Sequence, residues 1–181
     1  MTRVSLPSRD DAPDASKPTL DAVQKQLGAL PNMFRALANS PAALNGFAAF
    51  NGALGKVLDL KTRERIALAV AEVNGCDYCL SAHTYLGLNL AKIDAAEIAL
   101  ARKGGSADPK AHAAVSFAAK VARERGHVGD ADIAAVRNAG YSDGQIVEIV
   151  ALVAESTFTN FLNEVIQTEI DFPVVRRAEA A

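Results

Sequence analysis

The sequence lacks an excess of either charge, any long apolar run, and any tract dense in β-branched residues. Each absence removes a class. Its 19 basic and 21 acidic residues are interspersed and leave a formal net charge of −2. That balance offers no basic footprint for nucleic acid and no polybasic patch for an anionic membrane surface. No stretch approaches the ~18 uninterrupted apolar residues of a membrane span, so none is expected. The opening MTRVSLPSRDDAPDASKP holds no apolar signal core, so no secretory signal and a cytoplasmic setting are expected. No tract is low in complexity and the core shows no internal repeat.

Cysteine and histidine are scarce as well, at two and three residues. Both cysteines fall in one CxxC, Cys76 and Cys79. In a reducing compartment such a pair is more often catalytic or metal-binding than a structural staple. A structural zinc site needs four ligands. The segment offers three along one helix, and no second CxxC or HxxxH supplies the fourth, so no metal is expected.

What the chain does have is helix. Half of its 181 residues are apolar, alanine is abundant throughout, and strand-favouring runs are missing. The length suits a single domain with a real core. Three divisions are expected: a flexible N-terminal arm over 1–17, one helical domain over 18–173, and a frayed tail over 174–181. Within the domain, Thr19 can cap a short helix ending near Gly28. Ser40-Pro41 opens another to about Val57, and Asp59 caps a third to Asn74, ended by Gly75. A helix follows from about Cys76 to Leu90. Asp94, Asp108-Pro109, Gly129-Asp130 and Ser142 open four more, the last reaching about Ile170. The fold class is therefore all-α, a compact multi-helix bundle. At its centre is a helix hairpin over 61–90, KTRERIALAVAEVNGCDYCLSAHTYLGLNL.

Chemistry concentrates in that hairpin. On a helix Cys79 lies ~60° round from Cys76, and His83 falls between them in azimuth. His83 is one turn above Cys79, close enough to touch, whereas Cys76 is ~10 Å of axial rise away. His83 can therefore act as base to Cys79. Cys76, in the first turn, gains from the positive end of the helix dipole. A thiolate attacking a peroxide becomes a sulfenic acid, which the second thiol resolves as a disulfide. If the two helices fold back about Gly75, Glu64 and His83 differ in height by only ~4–5 Å. Glu64 could then orient the imidazole, or simply complement its helix dipole; Glu72 is the rival partner.

Glu64, eleven intervening residues, Cys76-Asp-Tyr-Cys79, three residues and His83 together resemble the core motif of the alkylhydroperoxidase D-like (AhpD-like) proteins of the carboxymuconolactone decarboxylase superfamily. The flanks LPNMFRALANSPAALNGFAAF and FTNFLNEVIQTEIDFP resemble the peroxidase-related branch, so the likeness covers roughly residues 20–173. It implies an all-helical fold forming homo-oligomers, with a trimer or hexamer favoured. It implies a thiol-dependent peroxidase or dithiol–disulfide oxidoreductase in antioxidant defence, acting on a hydroperoxide. No tightly bound cofactor is implied. An external dithiol reductant would restore the pair, carried by a lipoyl-bearing or other thiol protein. By position, Cys79 would be the peroxidatic nucleophile, Cys76 the resolving thiol, His83 the general base and Glu64 its relay partner.

One position departs from the pattern. The prototype has a relay histidine just before the second cysteine, and this chain has Tyr78, a poor base with a reference pKa of ~10. Asn160 and Asn163 share a face of the last helix and either line the pocket or pair across helices, the structural reading being preferred. The alternative functions are a decarboxylase-type lyase on a small cyclic acid, which would not need the cysteines, and a non-catalytic oligomeric redox sensor.

Overall fold

The computed structural model describes residues 2–178, and among them it contains helices and no strand. In chain order the helices are α1 (Lys17–Leu27), α2 (Asn32–Leu37), α3 (Pro41–Leu54), α4 (Leu60–Asn74), α5 (Asp77–Asn89), α6 (Ala95–Arg102), α7 (Pro109–Arg123), α8 (Asp130–Asn138) and α9 (Asp143–Ile166). One turn of 3-10 helix, Asp14–Ser16, precedes α1.

α4 is the axis of the bundle because the middle of its sequence leaves it no polar face. Its six consecutive residues from Ile66 to Ala71 are all buried. An all-round apolar helix is stable only when wrapped. α5, α6, α7 and α9 do the wrapping. Each large aliphatic side chain so enclosed contributes about 1.5–3 kcal/mol. Helix starts follow the polar caps. The side chains of Ser40, Asp59, Asp94, Asp108 and Ser142 each accept a first-turn backbone N–H. Such caps typically stabilise by ~1 kcal/mol. α4 ends at Gly75, whose φ of 70° an L side chain rarely adopts.

Several boundaries differ from expectation. α1 begins at Lys17, and Thr19 is no cap: its hydroxyl donates to Asn45 Oδ1 at 2.6 Å. α2 gives too short a periodic signal to be read from sequence. It forms because Leu37, with Ala38 just beyond it, is buried among Leu20, Leu44 and Phe47. α9 stops at Ile166, where Gln167 takes φ 52° and turns the chain back.

Residues 2–17, expected as a flexible arm, are laid along the body. Arg3 N donates to Ile166 O at 2.7 Å and Arg35 Nε to Pro7 O at 3.1 Å, while Arg9 pairs bidentately with Asp21. Ala12 and Ser16 are buried. The arm's polarity suggested mobility, but its partners lie elsewhere in the chain and carry no local signal. Of the tail expected to fray, residues 174–178 are hydrogen-bonded to the hairpin. Val175 N donates to Ser81 Oγ, Arg177 N to Asp77 Oδ1 and Ala178 N to Glu72 Oε1, at 2.9, 2.9 and 2.7 Å. Residues 179–181 lie outside the described residues.

The absence of an uninterrupted apolar run also understated α9. By length and composition it could cross a membrane, with 24 residues and a window mean hydropathy of 1.2. Polar Glu155, Ser156, Thr159, Asn160 and Asn163 interrupt its apolar sequence, and it packs against α3, α4, α5 and α7.

Candidate active site

Gly75 sets the site's geometry by folding α5 back along α4. Cys76 is not inside α5 but at its N-cap, with φ −91° and ψ 100°. Its sulfur takes the place of the usual cap oxygen and accepts the Cys79 backbone N–H at 3.3 Å. The same thiol donates to Cys79 Sγ at 2.8 Å. Both cysteines are free, and disulfide closure to the usual ~2.05 Å needs a shift of under about 1 Å. Cys76 is 0% and Cys79 3% exposed. His83 is the open member of the group, with 28% of its side chain exposed.

Across the hairpin, His83 Nδ1 meets Glu64 Oε2 at 2.8 Å. The rival Glu72 is occupied elsewhere: Arg102 Nε donates to it at 2.7 Å and the Ala178 amide at 2.7 Å. With Nδ1 committed to Glu64, Nε2 is the ring nitrogen that remains for proton exchange.

The electrostatics separate the two thiols. The hydrogen bond from Cys76 draws Cys79 down to about 7; burial opposes this, and His83, Asn163 and Asn160 add to it. Cys76, as donor to a developing thiolate and buried, is pushed far up. Burial disfavours the His83 imidazolium, but the Glu64 carboxylate outweighs it and raises His83 to about 9. The imidazole is thereby held toward its protonated form, the imidazolium that accepting the Cys79 proton would leave beside the thiolate. Burial also raises Glu155, against the Asn51 amide that donates to it at 2.5 Å.

Tyr78, the departure from the prototype, faces another task. Its hydroxyl donates to Asp171 Oδ1 at 2.9 Å and accepts from Met33 N at 3.1 Å, and its ring edge meets Phe172. Burial foremost holds it protonated. It pins the C-terminal segment and α2 to the hairpin and makes no bond to His83 or Glu64.

Asn160 and Asn163 require a correction. They are not merely a pair across helices, because Asn163 Nδ2 donates to Cys79 Sγ at 3.4 Å. Asn160 accepts from Asn74 Nδ2 at 2.9 Å. Their three-residue spacing on the last helix was the available signal; nothing in the sequence said that this face meets the CxxC. Among the described residues, no cluster of three or more His, Cys, Asp or Glu could hold a metal.

Residues 41–124 match the model of the carboxymuconolactone decarboxylase family. An uncharacterized Haemophilus influenzae protein is 44% identical over 61 residues, 34% of this chain; the match spans half of that relative's length. Among solved structures, a peroxidase-related protein of Ralstonia eutropha JMP134, with an alkylhydroperoxidase AhpD core, superposes with a TM-score of 0.84 at 27% identity, covering 94% of this chain and 92% of that one. The debrominase Bmp8, solved with 2,3,4-tribromopyrrole, has the same fold at TM-score 0.79 and 21% identity, covering 94% of each chain. The fold therefore carries more than one activity. In the hairpin, the helical frame and these likenesses, the chain resembles the AhpD-like proteins of the carboxymuconolactone decarboxylase superfamily.

Proposed function

We propose that the protein is a thiol-dependent peroxidase that reduces hydroperoxides through the Cys76–Cys79 pair. The observation that carries the reading is the 2.8 Å contact between the two sulfurs, with Cys79 the one whose negative charge is stabilised. Cys79 is the nucleophile. Its sulfur attacks the terminal peroxide oxygen, the O–O bond breaks, and the leaving alkoxide takes a proton from the His83 imidazolium. Glu64 holds that imidazole charged and oriented. Cys76 then attacks the sulfenic sulfur, and water leaves as the disulfide forms.

An external dithiol returns the two electrons. A small, flexible, lipoyl-type dithiol suits a pair this enclosed, and no tightly bound cofactor is part of the reading. The reading includes self-association as a trimer or hexamer, supported by the exposed Val147, Phe161 and Val165 on the outer face of α9. Consumption of an alkyl hydroperoxide, driven by a dithiol, tests it. Cys79→Ser should abolish turnover, and turnover that survives it would overturn the reading; decarboxylation of a small cyclic acid that persists in Cys76→Ser/Cys79→Ser would move the protein to the lyase class.

A further inference from the structure

α9 brings Asn163 against the nucleophile with an unusual imbalance. The residue is 2% exposed, its Nδ2 donates to Cys79 Sγ at 3.4 Å, and its Oδ1 is buried with no hydrogen-bond partner. A buried amide oxygen left unpaired destabilises a fold, so its persistence calls for a reason. The amide's orientation follows from the charge of its neighbour: a thiolate cannot donate, so the N–H must face the sulfur and the carbonyl must face away. The two amide heteroatoms are ~2.3 Å apart, which puts the orphan acceptor within about 6 Å of Sγ, on the scale of an S···O–H approach. Neighbouring Asn160, 1% exposed, is anchored through its own oxygen by Asn74 Nδ2 at 2.9 Å, which turns its amide nitrogen toward the sulfur as well.

We propose that Asn163 is a catalytic residue that holds the nucleophile through Nδ2–H and receives the peroxide's O–H on Oδ1, making the site selective for hydroperoxides over electrophiles that lack a donor. This rests on the peroxidase reading above. The attacked oxygen is the one that bears hydrogen. As the S–O bond forms and the O–O bond breaks, the electron pair leaves on the alkoxide, which His83 protonates. The original O–H proton stays on the transferred oxygen, now part of Cys79–SOH, and keeps its bond to Oδ1 throughout. Cys79 loses two electrons and the peroxide gains them. Cys76 Sγ then attacks the Cys79 sulfur, the S–O bond breaks, and the hydroxide leaves as water with the Cys76 proton. A dialkyl peroxide or an alkyl halide presents no hydrogen to Oδ1.

The test compares two reagents on one sulfur. In a Cys76→Ser background, the single-turnover rate with an alkyl hydroperoxide is measured beside the alkylation rate with iodomethane, each corrected for thiolate fraction by ultraviolet titration. Asn163→Ala should shift the titration upward and lower the corrected peroxide rate by about tenfold, with corrected alkylation unchanged. Asn163→Asp keeps the shape and an acceptor while losing the donor. It should shift the titration further upward yet retain a peroxide-to-alkylation ratio near that of the parent. Parallel losses in both reagents, or no loss in either, would overturn the proposal. If Asn163→Ala does not fold, a ratio in Asn163→Asp that falls with the loss of the donor overturns it. Peroxide turnover surviving Cys79→Ser would instead remove the underlying peroxidase reading.

Discussion

Glu64 and His83, nineteen residues apart on antiparallel helices, meet at 2.8 Å and hold one proton between them. The pair converts the imidazole from a base near its ordinary value of 6.5 into an acid that titrates at about 9. Beside it, Cys79 titrates at about 7. Thiolate and imidazolium therefore coexist across neutral pH.

The rate of peroxide reduction should rise through about 7 as Cys79 ionises and fall through about 9 as His83 loses its proton. Glu64→Gln removes the charge that raises His83, so the alkaline limb should move down and the bell should narrow. An alkaline limb that stays in place would separate Glu64 from this proton.

The same shift has a stability sign. A folded-state value above the unfolded 6.5 contributes stability that is fully present below 6.5 and lost as pH rises through about 9. Denaturant midpoints of the parent and Glu64→Gln should therefore differ most near about pH 6 and converge by about pH 10. Equal differences at both ends would contradict the pairing.

Cys76 has two duties, resolving thiol and helix cap, and its substitutions should divide them. Cys76→Ser retains a capping atom and should accumulate Cys79 sulfenic acid, one oxygen heavier by mass spectrometry. Cys76→Ala loses the cap and should be less stable than the serine variant by ~1 kcal/mol. Identical melting of the two would deny the cap.

At Gly75 a side chain faces two obstacles. The φ of 70° alone makes an L residue costly by about 1–2 kcal/mol, and a Cβ would stand 2.5 Å from an Arg177 guanidinium nitrogen. That guanidinium sits at the end of a flexible side chain and can move aside, so the backbone cost dominates. Gly75→Ala should destabilise by most of this amount even when combined with Arg177→Ala. Full rescue by the second substitution would make the clash, not the backbone, responsible.

The C-terminal segment covers the Cys76 end of the hairpin through Ser81, Asp77, Gly75 and Glu72. Deleting residues 174–181 should speed labelling of the pair by a bulky thiol reagent while hydrogen peroxide reduction stays near the parent rate. Unchanged labelling would show that the segment does not guard the pair.

The helical frame was legible because its signals are local: Asp59 and Ser142 cap the helices that begin just after them, Gly75 ends the helix before it, and Ile66 to Ala71 announce a wrapped helix. The shared face of Cys76, Cys79 and His83 came from the helical rise, although Cys76 proved to be a cap. Contacts carried by distant partners did not show. The choice between Glu64 and Glu72 depended on Arg102, thirty residues from Glu72. Asn163 reaches Cys79 from 84 residues away, and Tyr78 reaches Asp171 from 93. No periodicity encodes such pairs.

Because α4 is enclosed on every side, its residues are poor places for this site to change. A substitution there disturbs packing against α5, α6, α7 and α9 together. Glu64 is bolted to the most enclosed helix of the frame, whereas Asn163, Tyr78 and the C-terminal segment belong to walls that can be exchanged with less cost to the core. New substrate preferences on this scaffold should therefore arise by rebuilding the enclosure around a constant acid, and directed libraries aimed at α9 and residues 168–178 should yield more folded variants than libraries aimed at α4.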